Sequence, residues 1–269
     1  MWIGSPLRGA FRLLSYLVLT VLLVPPYLLA MALRLQPIIR WMPVMYHRMV
    51  CVILGIKVQV RGKRSDVTPT LFVCNHVSYL DIEVLGGLVP GSFVAKAEVA
   101  TWPFFSTLAK AQRTIFIERS SGRASASRDE MLRRLNTGDN LMLFPEGTSS
   151  DGTRVLPFRS ALFGVAQLRR DEKPIRVQPV AIAYTRLDGI PLGRYWRPLF
   201  AWFGDLDLVP HLWQMVCLGE TEAVVTFFPP IDIDQLGDRK KLAEFCFRQV
   251  SLGVQAANSG REDLLPRLA

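Results

Sequence analysis

Residues Thr68 to Asp81 read TPTLFVCNHVSYLD. Leu71 to Cys74 is rich in β-formers and delivers Asn75 and His76 to its end, and Asp81 follows on what reads as the opening of a helix. A strand running into a helix is the unit of an open α/β sheet, and the exits of its strands are where such sheets bind substrates. The spacing also suits a base and its orienter. A histidine takes a hydroxyl proton near neutral pH when its tautomer is fixed, and a carboxylate accepting from the other ring nitrogen fixes it. Alone, His-x4-Asp is weak evidence, because a strand-end histidine is more often packed or solvated.

A second motif, Phe144-Pro145-Glu146-Gly147-Thr148, closes the apolar run Leu141 to Phe144. Read bare, it is a turn carrying a solvated glutamate. Beside the first motif, it becomes a second strand exit presenting polar groups on one sheet edge.

The periodicity around these motifs alternates. Strands are expected near Lys57 to Arg61, ending at His76, at Ser92 to Ala97, at Thr114 to Arg119, before Glu146, at Arg176 to Tyr184 and at Ala223 to Phe228. Helices are expected at about Ser78 to Gly87, Trp102 to Ala111, Ser125 to Leu135, Ser160 to Leu168 and Arg239 to Ala257. This predicts an α/β fold, a mostly parallel sheet flanked by helices, behind an N-terminal membrane-embedded helical segment. Residues 1–55 form that segment and 56–269 a single catalytic domain, with no repeat or linker between them.

The net charge of +9 over 269 residues would suit nucleic acid until the charges are located. No Asp or Glu precedes Asp66, whereas Arg8, Arg12, Arg34, Arg40, Arg48, Lys57, Arg61, Lys63 and Arg64 do, and these nine account for the whole excess. The positive region is also the most apolar, which points to an anionic membrane surface. No basic stripe interleaved with aromatics marks a nucleic-acid site, so no nucleic acid is expected. Leu13 to Leu33 carries no charge and is close to the roughly 20 residues that cross a bilayer core. Pro25-Pro26 in its middle predicts either one kinked span or a hairpin dipping into one leaflet. Met42 to Ile56, with His47 and Arg48, reads as an interfacial helix. Ala30-Met31-Ala32 imitates a signal-cleavage site, but the apolar stretch exceeds the usual h-region, so a retained segment is expected. Cys51, Cys74, Cys217 and Cys246 lack metal spacing and read as reduced packing residues of a cytosol-facing domain.

Four blocks in order make the sequence resemble the glycerophosphate and lysophosphatidate acyltransferase family. They are Asn75-His76-Val77-Ser78-Tyr79-Leu80-Asp81, Thr114-Ile115-Phe116-Ile117-Glu118-Arg119, Phe144 to Thr148, and Val177-Gln178-Pro179-Val180. The resemblance covers roughly Ile56 to Pro229. It implies O-acylation of a lysolipid acceptor by an acyl-carrier-protein or coenzyme A thioester at the cell inner membrane. His76 and Asp81 would be catalytic. Glu146, Gly147 and Thr148 would bind or position substrate, Arg119 and Lys96 would contact the acceptor's phosphate, and Ser78 would line the site or cap the following helix. No cofactor is implied, and three dispersed histidines predict no metal. The chain lacks the Gly-x-Ser-x-Gly elbow of a nucleophilic serine.

Two departures bear on the acceptor. Arg113 stands where the family often has glycine, and Ser149 follows FPEGT where arginine is common, with Ser150-Asp151-Gly152 next. Losing that cation weakens recognition of a dianionic phosphate, for which Arg154 or Arg159 could compensate. The string FPEGTSSDG also resembles bacterial enzymes acylating lyso-ornithine lipid, whose headgroup has a carboxylate and no phosphate. Lyso-ornithine lipid and lysophosphatidate both stay open as acceptors. A lipid hydrolase and a non-catalytic lipid-binding protein are the alternatives from other classes.

Overall fold

The structure is a computed structural model describing residues 3–96, 105–117, 124–170 and 172–265. Two helices open the chain, α1 (Pro6–Ala32) and α2 (Gln36–Leu54). Next come β1 (Ile56–Arg61), β2 (Thr70–Cys74), α3 (Leu80–Gly86), β3 (Ser92–Lys96), α4 (Phe105–Ala111), β4 (Ile115–Ile117), α5 (Ala124–Asn136) and β5 (Leu141–Leu143). A 3-10 segment at Ser160–Gln167 and a small hairpin, β6 (Arg169–Arg170) and β7 (Lys173–Pro174), lead to the long strand β8 (Arg176–Leu187). After β9 (Ile190–Pro191) the chain forms α6 (Leu208–Cys217), β10 (Thr221–Phe227) and α7 (Arg239–Ser259).

The main sheet runs β1-β10-β8-β2-β5-β3-β4. From β8 to β4 every ladder is parallel, as the alternation predicted, while β10 lies antiparallel to β8 and carries β1 parallel to itself. The sheet is therefore mixed. Strand direction leaves no mark on an apolar run, so the reversal of this edge was not readable in advance. β2 sits at the centre with every residue buried. Its period-two alternation sends Phe72 and Cys74 to a core shared with Val84 and Leu85 of α3, and Leu71 and Val73 to one shared with Leu135 of α5 and Leu242 and Cys246 of α7. All four cysteines are buried and unpaired.

Pro25 and Pro26 do not end α1, which continues to Ala32. The reversal comes at residues 33–35, with Arg34 in the left-handed region (φ 55). Beyond it α2 folds back, and Thr20 and Tyr46 hydroxyls meet at 2.9 Å. α1 alone, among the described residues, is long and apolar enough to cross a membrane. Yet its first turns are docked on the domain. The buried Arg12 guanidinium donates to the carbonyls of Val216 (3.2 Å), Leu218 (2.8 Å) and Gly219 (3.3 Å), capping the C-terminal end of α6, where a cation is favoured. The opposite face of the hairpin is bare, with Leu7, Phe11, Val21, Leu22 and Leu29 all exposed.

α6, which carries His211 and Trp213, was not among the expected helices. Its Pro210 lies in the first turn, where a missing N–H costs nothing.

Candidate active site

β2 stops at Cys74, and the next side chain takes over its pairing. Asn75 Oδ1 accepts from the Ile182 N–H (2.8 Å) and its Nδ2 donates to the Ile182 carbonyl (2.9 Å), so the amide acts as one more peptide unit against β8. That bond fixes where the chain leaves the sheet. His76 is the first residue beyond it. Asp81, fully buried on the first turn of α3, accepts at one oxygen from His76 Nδ1 (2.8 Å), Val77 N–H (2.7 Å) and Ser78 N–H (3.0 Å). Its other oxygen accepts from the Tyr184 hydroxyl (2.9 Å). A buried carboxylate is tolerable only when its lone pairs are filled, and four donors fill them. Because the carboxylate accepts from Nδ1, that nitrogen carries the proton and Nε2 keeps a lone pair. The imidazole stacks on Phe144, centroids 4.2 Å apart, and stays about one-fifth exposed at 22%.

The second motif closes on the same residue. Glu146 Oε1 accepts the His76 N–H (2.8 Å), while Ser150 N–H donates to the His76 carbonyl (2.8 Å), reinforced by Ser150 Oγ at 3.2 Å. Both backbone groups of His76 are thus held by the segment Phe144–Ser150. Glu146 Oε2 accepts from Leu156 N–H (2.9 Å), and the side chain is 2% exposed. Burial pushes its carboxyl up to about 8, opposed by the amide bonds from His76 and Leu156 and helped by the nearby Asp81. Sequence alone had given Glu146 to the substrate; here both of its oxygens are occupied by backbone.

Gly147 has φ 68, the left-handed conformation that favours glycine, and the movable Arg159 side chain lies where a Cβ would stand, 3.0 Å from its Nε. Its N–H is donated to the Phe144 carbonyl (3.1 Å). Arg159 lies exposed against it, tied by its own N–H to the Pro145 carbonyl (2.9 Å). Thr148 is exposed beside it. Ser149 Oγ donates to the Trp202 carbonyl, and Trp202 N–H to that of Val77 (2.9 Å), which ties the loop after β9 to the histidine turn. Ser78 is fully buried and, among the described residues, its Oγ accepts one long 3.4 Å bond from Leu80 N–H, so it belongs to the turn and presents no open surface. Lys96 ends β3, paired in register with Ile117 at the end of β4. Since β2, β3, β4 and β5 are parallel, Lys96 reaches the same sheet edge as His76. Arg119 lies outside the described residues.

Sequence reading missed Tyr184 and Ser150. Tyr184 is the last residue of a predicted strand, and only the register of β8 against β2 reveals that it faces Asp81.

Next to the stacked rings lies an apolar cavity of about 170 Å³, between α1, α2, α3, β3 and α4. Phe93 lines it and stacks on Phe144 (6.2 Å), which stacks on His76, so the rings of Phe93 and Phe144 stand between the cavity and the imidazole. In its wall, buried His47 of α2 places Nδ1 at 2.7 Å from Glu83 and Nε2 at 2.8 Å from Gln112 Oε1. Burial by itself would lower the His47 pKa, but the Glu83 charge and both hydrogen bonds outweigh it and raise it. Tyr79 also lines the cavity and bonds His211 Nδ1 of α6 at 2.9 Å.

No group of three or more His, Cys, Asp or Glu among the described residues could hold a metal ion. The arrangement sets an imidazole against a buried carboxylate at a strand exit, near an apolar cavity, a geometry suited to general-base chemistry. The acyltransferase family model matches residues 56–183. The lyso-ornithine lipid O-acyltransferase of Rhizobium meliloti is 39% identical over 93% of this chain and 85% of its own length, and that of Brucella abortus 43% over 83% and 85%. A 1-acyl-sn-glycerol-3-phosphate acyltransferase of Neisseria gonorrhoeae is 33% identical over 65% of each chain. The crystal structure of the 1-acyl-sn-glycerophosphate acyltransferase of Thermotoga maritima superposes with a TM-score of 0.65 at 19% identity, over 93% of this chain and 97% of that one, which shows a shared fold. The chain belongs to the acyltransferase family, and it is an acyltransferase.

Proposed function

We propose that this enzyme transfers a fatty acyl group from an acyl-carrier-protein or coenzyme A thioester to the free hydroxyl of a lysolipid, with lyso-ornithine lipid the preferred acceptor and 1-acyl-sn-glycerol-3-phosphate the second. The observation that carries the reaction is His76 held between Asp81 and the Glu146–Ser150 segment. His76 Nε2 takes the acceptor's hydroxyl proton as the oxygen attacks the thioester carbon. Collapse of the tetrahedral adduct breaks the C–S bond, and the departing thiolate takes the proton back from the imidazolium. Asp81 stabilises that transient cation, and no acyl-enzyme is formed. The adduct's oxyanion needs donors; Gly147 N–H is engaged with Phe144, which leaves Thr148 N–H as the candidate. Glu146 acts by bracing His76.

The acceptor preference is supported by the names of the relatives at 39% and 43% identity and by Ser149, which is spent on the Trp202 carbonyl and offers no cation. Arg159, exposed beside Gly147, offers a guanidinium to a headgroup carboxylate, and Lys96 ends β3 on the sheet edge of His76. Residues 1–55 are the membrane segment. Since α1 is docked through Arg12 at one end and buries Tyr27 and Ala30 near the other, its exposed apolar face lies along the bilayer, within the cytoplasmic leaflet of the inner membrane. Incubating purified protein with a labelled thioester and each lysolipid tests this reading. Acylated lyso-ornithine lipid as main product supports it; free fatty acid alone, or no turnover with either lysolipid, defeats it.

A further inference from the structure

A second cavity, of about 450 Å³ and polar, lies under the α1–α2 turn. Ser92 at the start of β3 and Asn140 just before β5 line it, so it opens at the sheet edge opposite His76. Three observations there have no part in acyl transfer. Tyr27, only 6% exposed, lines the cavity, and its buried hydroxyl has no hydrogen-bond partner among the described residues. Arg113 adopts φ 61, a conformation natural to glycine and strained for a long side chain. One of its five donors meets Asp139, and the residue lines the cavity. Arg40, exposed on α2, adds a second cation.

The charge count favours an anion. Arg113 and Arg134 share Asp139, and Arg133 and Arg134 share Glu130, so three guanidiniums face two carboxylates and Arg40 adds to the excess. The surroundings favour a lipid. Arg40 is flanked in sequence by exposed Leu35, Ile38 and Trp41, with its guanidinium 5.9 Å over the Trp41 ring, the mixture of apolar, aromatic and cationic groups found at a bilayer surface. We infer that this cavity holds the phosphate headgroup of an anionic bilayer phospholipid, with Tyr27, Arg113 and Arg40 as its donors, apart from the acceptor and donor sites. The cavity shares Tyr27, Pro43 and Gln112 with the apolar cavity, so an occupant would also brace the wall that holds His47.

The test follows thermal unfolding of the full chain in neutral detergent micelles while phosphatidylglycerol, phosphatidylcholine or inorganic phosphate is added. Wild type should show a saturable rise in Tm with phosphatidylglycerol alone. Arg113→Gly keeps the left-handed backbone at ease, and Tyr27→Phe keeps the ring, so both variants fold. Each should move the midpoint of the titration up about tenfold, as for one charge-assisted bond lost. Arg34→Gly removes the same charge from a residue with φ 55 in the turn but outside the cavity, and should leave the midpoint unchanged. Identical titrations for wild type, Arg113→Gly and Tyr27→Phe would overturn the site. So would an equal loss in Arg34→Gly, or a response to inorganic phosphate that matches the lipid's.

Discussion

The histidine turn and the N-terminal hairpin are built on opposite plans. Around His76, nearly every polar atom is buried and paired. Asn75 extends the sheet, Asp81 collects four donors, and Glu146 and Ser150 hold the N–H and the carbonyl of one residue, His76. The hairpin instead shows lipid-sized side chains to the outside and is fastened by a few polar contacts, chiefly Arg12 on the end of α6 and His47 between Glu83 and Gln112. Paired, buried polar groups are concentrated around His76. The other region needs only to adhere, and a handful of anchors suffices.

Substitutions can break this contrast on either side. The largest effect is expected for His76→Ala, a loss of about a thousandfold in turnover, within the range for a general base, with membrane association kept. Turnover near wild type would remove the base. Arg12→Ala should act in the opposite sense: it leaves the carbonyls at the end of α6 without their cation and costs about 2–3 kcal/mol of stability, read by denaturant unfolding. Turnover in detergent should stay within about threefold of wild type, because only the tether is touched. Tyr184→Phe takes one of four donors from Asp81 and should lower turnover about tenfold without changing acceptor KM. A KM effect would place the hydroxyl on the substrate instead.

The smallest effect is a pH dependence. The Glu146 carboxyl titrates near 8 in the fold and in the ordinary carboxylate range when unfolded, so the folded state binds the extra proton between those values. Stability must then fall as pH rises through 8, by about 1.4 kcal/mol between pH 7 and pH 9 from this group. Glu146→Gln does not titrate and should lack that part of the slope. Equal slopes in the two proteins would show that the carboxyl is already ionised at neutral pH.

Much of this contrast was legible in the sequence. The two strand exits, the His76–Asp81 pair and the apolar, acid-free N-terminus are local patterns, and local patterns survive translation into structure. Of the two readings of Pro25-Pro26, the hairpin would have reversed the chain there, whereas α1 carries both prolines on to Ala32 and the chain turns back at residues 33–35. Tyr184 and the double grip on His76 were invisible, since they depend on which strands become neighbours. For the same reason Glu146, whose motif announces a polar group at a strand exit, reads as a substrate ligand until its oxygens are seen on His76 and Leu156.

Glu146 is therefore where the central claim is most exposed, that two distant segments form one clamp on the catalytic imidazole. Steady-state kinetics of Glu146→Gln, with acceptor varied at saturating thioester, separates bracing from binding. The amide presents an N–H to one of the backbone donors that Glu146 now satisfies, so kcat should fall about tenfold or more with acceptor KM almost unchanged. A raised acceptor KM with kcat preserved would contradict the clamp and return this glutamate to the substrate.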